Sequence, residues 1–316
     1  MRSTIFAAAL MLSAAATVNA QDVTTQAGAL RVSGTGEHTF SGALAYTHPL
    51  ADYVAASASY INEGHATGHH RDGFAGQLWL RTPPDSQGMS YGAGVGKYFS
   101  FDTTELPGNH YTNDHNWATI YSLQATYHYP DSRWYNQVQI NRITPGGSKN
   151  ATTALLVGVG YRFDGVRGDK LHLDGPKTDE SLTLMAGQGI SNSLNSERST
   201  VGTLEYRRAL GRYLDGTITV INEGNTAQTK RNGVAAQLWL IRSLSQKVEL
   251  GVGIGPYLTA KVPDSPGQRS HKAGLVSIGS RYHLARRVVA EASFGRVVTD
   301  YHRDADMLLV GLGYSF

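Results

Sequence analysis

The chain has 316 residues, no cysteine and a formal charge of +3. Without thiols, a disulfide framework and a zinc-thiolate site are excluded, and the basic residues are too scattered to form a nucleic-acid footprint. The 36 glycines and 17 tyrosines against 10 prolines, with almost no helical periodicity, point to β structure.

The first element is a secretory signal peptide. Met1-Arg2 precedes an apolar run from Ile5 to Ala16, and Val18-Asn19-Ala20 supplies a small-residue cleavage site, so residues 1–20 are expected to be removed after Ala20. No later stretch approaches the roughly 20 apolar residues that a membrane-spanning helix needs.

Alternation and turn signals then predict eight strands, near 29–37, 40–49, 52–63, 73–82, 89–100, 117–129, 134–144 and 152–163. A polar, glycine-rich stretch at 164–180 reads as a linker, periplasmic in this scheme. A second set of eight follows near 182–192, 199–209, 213–223, 233–243, 247–258, 272–284, 287–299 and 306–316. The two sets match in sequence. "INEG" at Ile61 recurs at Ile221, both followed by Arg-(Asp/Asn)-Gly and Gln-Leu-Trp-Leu. "GAGVGKY" at Gly92 corresponds to "GVGIGPY" at Gly251, "NRIT" at Asn141 to "GRVVT" at Gly295, and "LLVGVGYRF" at Leu155 to "LLVGLGYSF" at Leu308. The chain is a duplication, with repeats at 21–163 and 181–316.

Within the strand at Trp117, Tyr121, Leu123, Ala125 and Tyr127 alternate with Ser122, Gln124, Thr126 and His128. Short turns at Pro83-Pro84-Asp85 and Tyr129–Ser132 alternate with the longer polar segments Gly64–Asp72, Asp102–Asn116 and Pro145–Thr152. One face for lipid, one for a polar lumen, and loops of alternating length make an all-β transmembrane antiparallel barrel. The last strand, "MLLVGLGYSF", ends on Phe316 and resembles the closing strand of bacterial outer-membrane barrels. That resemblance implies residence in the outer membrane of a Gram-negative envelope, contact with outer-membrane lipids and lipopolysaccharide, and delivery by the outer-membrane assembly machinery through the strand ending at Phe316. Two architectures stay open: one ring of sixteen strands, which is favoured because barrels in series are unusual in one chain, or two rings of eight. The difference matters, since about eight strands enclose packed side chains while about sixteen leave an aqueous channel.

Period 2 places Glu63, Gln77 and Trp79, and their copies Glu223, Gln237 and Trp239, on the lumen face. Arg142 and Arg296 are the expected partners of the two glutamates in a ligand-binding or purely structural network, since a buried carboxylate needs a cation or water. His65, His69 and His70 crowd one loop and are weak candidates for a metal site. "GAGVGK" lacks the P-loop spacing, and no cofactor is implied.

In strand order and glycine placement each half resembles, in outline, the eight-stranded lipid A 3-O-deacylases. That family uses a seventh-strand histidine and serine with an eighth-strand glutamate. Here the seventh strands read Asn141-Arg142-Ile143-Thr144 and Gly295-Arg296-Val297-Val298-Thr299, and the eighth strands hold no glutamate. Only His302, with Asp300, Asp304 or Asp306, stands as a weak catalytic candidate. The expectation is therefore a non-catalytic barrel passing small polar solutes, with an acyl hydrolase or a filled-lumen envelope scaffold as alternatives.

Overall fold

The computed structural model describes residues 21–83, 88–108, 110–146, 150–163, 180–193, 196–211, 213–225, 230–243, 247–260 and 272–316. The signal peptide at 1–20 and the linker, but for Glu180, lie outside the described residues.

Two closed antiparallel barrels form, each from eight consecutive strands. The first holds β1 (Asp22–Val32), β2 (His38–Ala51), β3 (Val54–Ala66), β4 (His69–Arg81), β5 (Gly88–Leu106), β6 (His110–His128), β7 (Trp134–Pro145) and β8 (Thr152–Arg162). The second holds β9 (Glu180–Ser191), β10 (Arg198–Ala209), β11 (Leu214–Asn225), β12 (Lys230–Ser243), β13 (Val248–Thr259), β14 (Lys272–Ala285), β15 (Val288–Val298) and β16 (Ala305–Ser315). β8 closes on β1, with Leu155 opposite Ala29. β16 closes on β9, with Leu312 opposite Leu184. The single sixteen-stranded ring favoured by the sequence is therefore not formed, and the tandem alternative is the architecture.

Each ring has a base, where its first strand begins and its last strand ends, and a rim, where the hairpins β1–β2, β3–β4, β5–β6 and β7–β8 or their second-ring counterparts turn. Polarity is inverted relative to a water-soluble protein. Leu78, Leu80, Leu123, Val157, Leu184, Ile218, Leu238 and Val310 stand exposed on the outer walls, while Gln26, Gln77, Asn141, Glu205, Arg207 and Glu291 are buried inside. Tyrosines and tryptophans gather at the base of the first ring, where Trp134 meets Tyr161 and Tyr127 meets Tyr129 edge-on, with ring centroids 5.0 and 5.3 Å apart.

Several boundaries differ from the sequence reading. β1 starts at Asp22 rather than near Ala29, because its outer face there carries Val23, Thr25 and Ala27, too little contrast with Thr24 and Gln26 to register as alternation. At the rim, segments read as loops are strand. β3 runs to Ala66 and β4 begins at His69, while β5 and β6 are 19 residues each. A barrel strand needs only about 9–11 residues to span a bilayer. The ladder continues beyond that length because its bonds are backbone bonds, indifferent to the polarity of the side chains they carry.

Candidate functional site

The duplicated "INEG" is a β-bulge at each rim, and every residue in it has a role. In β3 the register shifts between Asn62 and His65, so Glu63 and Gly64 together oppose the single residue Arg71. In β11 the same shift lies between Asn222 and Asn225, opposite Arg231. Ile61 and Ile221 are buried in the two lumens. The Asn62 side-chain oxygen accepts from Gly64 N at 2.7 Å, and Asn222 accepts from Gly224 N at 2.8 Å. Both glycines sit at φ 70°, and a Cβ would lie 2.3 Å from Phe40 O at Gly64 and 2.4 Å from Thr200 O at Gly224. Only glycine fits a left-handed position so crowded.

The bulge points the glutamates inward at arginines on the neighbouring strand. Arg71 Nε donates to Glu63, Arg71 Nη2 donates to Thr152 Oγ1 at 3.1 Å, and Thr152 Oγ1 donates to Glu63 Oε1 at 2.5 Å. In the second ring Arg231 donates to Glu223 Oε2 from Nε at 3.0 Å and from Nη2 at 2.7 Å. Both pairs are buried, so each barrel carries a charged bolt across its lumen just inside the rim.

Below the bolt lies "QLWL". Leu78 and Leu80 point outward, and Gln77 and Trp79 point inward. Trp79 Nε1 donates to Ser57 Oγ at 2.8 Å, and Trp239 Nε1 to Thr217 Oγ1 at 3.1 Å. Each indole lies over a cross-strand glycine: a Cβ on Gly94 would come within 2.6 Å of the Trp79 ring, and one on Gly253 within 2.4 Å of Trp239. The period-2 glycines thus make room for a tryptophan.

The two lumens diverge below this point. In the first, Gln77 donates to Ser122 Oγ at 2.9 Å, Ser122 to Asn141 Oδ1 at 2.6 Å, Gln139 to Asn141 Oδ1 at 2.7 Å, and Gln137 to Gln139 Oε1 at 2.7 Å. A cavity beside these amides leaves about 10 Å³ for the centres of water molecules, about the minimum for one water. In the second, Gln237 bonds Ser277 Oγ at 3.1 Å, and charge replaces amides beneath it. Arg207 bonds Glu205 Oε1 and Glu291 Oε1, each at 3.0 Å, with its guanidinium 4.5 Å from the Trp239 ring centroid. Arg281 lies 3.5 Å from Glu291 and 3.6 Å from Glu249.

Two expected lumen residues lie elsewhere. Arg142 is on the outer face of β7, where its Nη1 donates to Ser33 Oγ at 2.7 Å and Thr153 Oγ1 at 2.8 Å. Arg296 is on the outer face of β15, although it is 1 % exposed, in a two-pronged pair with Asp306 at 2.7 and 2.8 Å. The reason is strand parity: the inward residues of β7 are Gln137, Gln139, Asn141 and Ile143, and those of β15 are Val289, Glu291, Gly295 and Val297. The partners of Glu63 and Glu223 are Arg71 and Arg231, eight residues further on. The repeat itself holds that signal, since Arg-(Asp/Asn)-Gly recurs in both copies.

His302 sits in the turn between β15 and β16 at φ 59°. Of the acids proposed for it, Asp304 accepts from Thr299 N and Oγ1 at 2.8 and 3.0 Å, Asp306 binds Arg296, and Asp300 is exposed. Near the rim of the first ring, His65 stacks on His70 with centroids 4.3 Å apart, while His69 Nε2 approaches Asp102 at 2.7 Å. Among the described residues no group of three histidine or carboxylate side chains converges as a metal site would require.

Closed, eight-stranded, apolar outside and polar inside, each ring has the construction of a membrane β-barrel. No family model and no curated relative matches the chain. Among solved structures it is similar to the N-terminal barrel domain of OprF from Pseudomonas aeruginosa, at 12 % identity and TM-score 0.36, covering 46 % of this chain and 99 % of that one. It is also similar to Ail, the attachment invasion locus protein of Yersinia pestis, at 10 % identity and TM-score 0.35, over 46 % and 99 %. A third is the toluene transporter TbuX of Ralstonia pickettii, at 9 % identity and TM-score 0.27, over 95 % and 90 %.

Proposed function

We propose that the protein is a non-catalytic outer-membrane protein of two plugged barrels, whose lumens are packed cores and whose working surfaces are the outer walls and the extracellular rims. Apolar outer walls favour lipid as the surrounding medium, and closed rings leave no sheet edge unpaired within it. The base carries the chain ends of each ring and is assigned to the periplasm.

The observation that carries the filled-lumen reading is the filling of the first ring by the Glu63–Arg71 bolt, a buried apolar cluster that includes Ile61, Tyr98, Ile120 and Leu156, and the hydrogen-bonded ladder from Gln77 through Ser122, Asn141 and Gln139 to Gln137. Passage of small polar solutes, the expectation drawn from sixteen strands, would require this ladder to open in an eight-stranded ring. Planar-bilayer recording of the full-length protein tests the difference. Folded, inserted protein is expected to give no stepwise conductance, and stable wild-type steps would overturn the plugged reading in favour of a passage.

A further inference from the structure

The duplication provides an internal comparison on the outer walls. In the first ring Thr153 of β8 stands directly between Arg31 of β1 and Arg142 of β7. All three are outward residues of their strands, and both arginines are exposed. In the second ring the corresponding row runs Ile190 of β9, Asp306 of β16 and Arg296 of β15. There the arginine is neutralised by the aspartate across the ladder. In the first ring the aspartate is replaced by threonine and the isoleucine by a second arginine. Among the described residues no carboxylate is paired with Arg31 or Arg142. One copy therefore closes its charge internally, while the other presents two cations to whatever lies outside.

We propose that Arg31 and Arg142 bind a phosphate group of an outer-leaflet glycolipid. Three observations support this occupant. The arginines flank one residue on adjacent strands, roughly 10 Å apart between Cα positions given a strand spacing of about 4.8 Å, a gap their long side chains bridge toward one phosphate. Arg142 is held by Ser33 and Thr153 through Nη1, which orders its guanidinium against the wall and leaves the rest of the planar fork for an oxyanion. The apolar wall also ends at this row. Toward the base, β8 presents Leu155, Val157, Val159 and Tyr161, and β7 presents Ile140, Val138, Asn136 and Trp134, with the Asn136 amide bonded to Tyr129 Oη near the base. From Tyr161 up to Thr153 the strand rises about 26 Å along its length, or about 20 Å vertically at the usual tilt, close to the apolar height of a membrane barrel. Acyl chains against that wall would bring a phosphorylated headgroup level with the two guanidiniums.

The inference rests on the outer-membrane reading, and the test separates the two. Full-length protein in lipid nanodiscs is titrated with bisphosphorylated lipid A, with the same lipid stripped of phosphate, and with inorganic phosphate. Wild-type protein is expected to prefer the bisphosphorylated form at least tenfold, and millimolar inorganic phosphate should not compete, which separates a headgroup from a free anion. R31Q/R142Q should remove the preference. T153D, which installs the neutralising residue of the second ring and leaves both arginines in place, should do the same, with folding of each variant checked by heat-modifiable gel migration. Equal preference in wild type and both variants would overturn the site, and so would a wild type without preference. Failure of wild-type protein to enter nanodiscs at all would overturn the outer-membrane reading.

Discussion

Breaking the bolt in the first ring should be costly, and repairing its charge balance should undo most of the cost. Arg71→Met leaves the Glu63 carboxylate buried with Thr152 as its remaining hydrogen-bond donor among those described above. The side chains of Arg71 and Glu63 are 5 and 2 % exposed, so water screens the orphaned charge very little. Removing one partner of such a pair typically costs about 3–5 kcal/mol, a large fraction of the stability of a domain. Glu63→Gln added to Arg71→Met removes the stranded charge, and the carbonyl oxygen of the new amide still offers Thr152 Oγ1 an acceptor. The double variant should therefore be much more stable than Arg71→Met alone. Urea unfolding in detergent micelles, followed by tryptophan fluorescence and heat-modifiable gel migration, measures both. The reasoning is refuted if Arg71→Met costs less than about 1 kcal/mol, well under the typical range for a buried pair, or if the two substitutions add without coupling. The same pair of changes at Arg231 and Glu223 should act on the second ring.

Gly94→Ala and Gly253→Ala each place a methyl group inside an indole ring's van der Waals surface, and unfolding midpoints should fall by the equivalent of ~1–3 kcal/mol; unchanged midpoints would show that the tryptophans lie elsewhere. Gly224→Ala puts a side chain at positive φ and against Thr200 O, so it should destabilise by at least the ~1–2 kcal/mol of a left-handed residue, whereas Gly202→Ala, with open space around it, should not. In the second lumen, Arg207→Met strands Glu205, while Glu291 keeps Arg281 at 3.5 Å, and should lower stability by ~3–5 kcal/mol, with recovery when Glu205 becomes glutamine; additive losses in the double variant would argue against a shared network. Residues 21–163 alone should give a heat-modifiable, protease-resistant barrel, because the β1–β8 ladder completes the ring without the second repeat. A half that refolds only with its sister present would contradict this.

Much of this was legible from residue order. Alternation located most strand cores, and Leu78 and Leu80 against Gln77 and Trp79 identified lumen and wall correctly. Closure was not legible, because β8 and β16 carry nearly the same closing pattern and either ring scheme gives both strands partners. The glutamates' partners were missed for a different reason. Which arginine faces Glu63 depends on a bulge that sets two residues against one, and a period-2 count does not reveal its cross-strand consequence. Arg142 and Arg296 could have been set aside from their neighbours, since Asn141 and Ile143 on one strand and Gly295 and Val297 on the other already occupy the inward parity. The row of Arg31, Thr153 and Arg142 was invisible in sequence because it joins strands from opposite ends of the first repeat.

Self-closure of each half also bears on how the chain chooses its topology. Two rings of eight contain as many strand-to-strand ladders as one ring of sixteen. Exchanging the β1–β8 and β9–β16 seams for β8–β9 and β16–β1 would cost no net backbone pairing. The backbone is therefore close to neutral between the two outcomes, and discrimination falls to the side chains inside. In a narrow ring, Thr152 of β8 reaches Glu63 of β3 and Arg71 of β4, Gln77 of β4 reaches Ser122 of β6, and Arg207 of β10 reaches Glu291 of β15. In a wide ring they would stand apart around an aqueous bore. The residues that plug these barrels are then also what keeps them two.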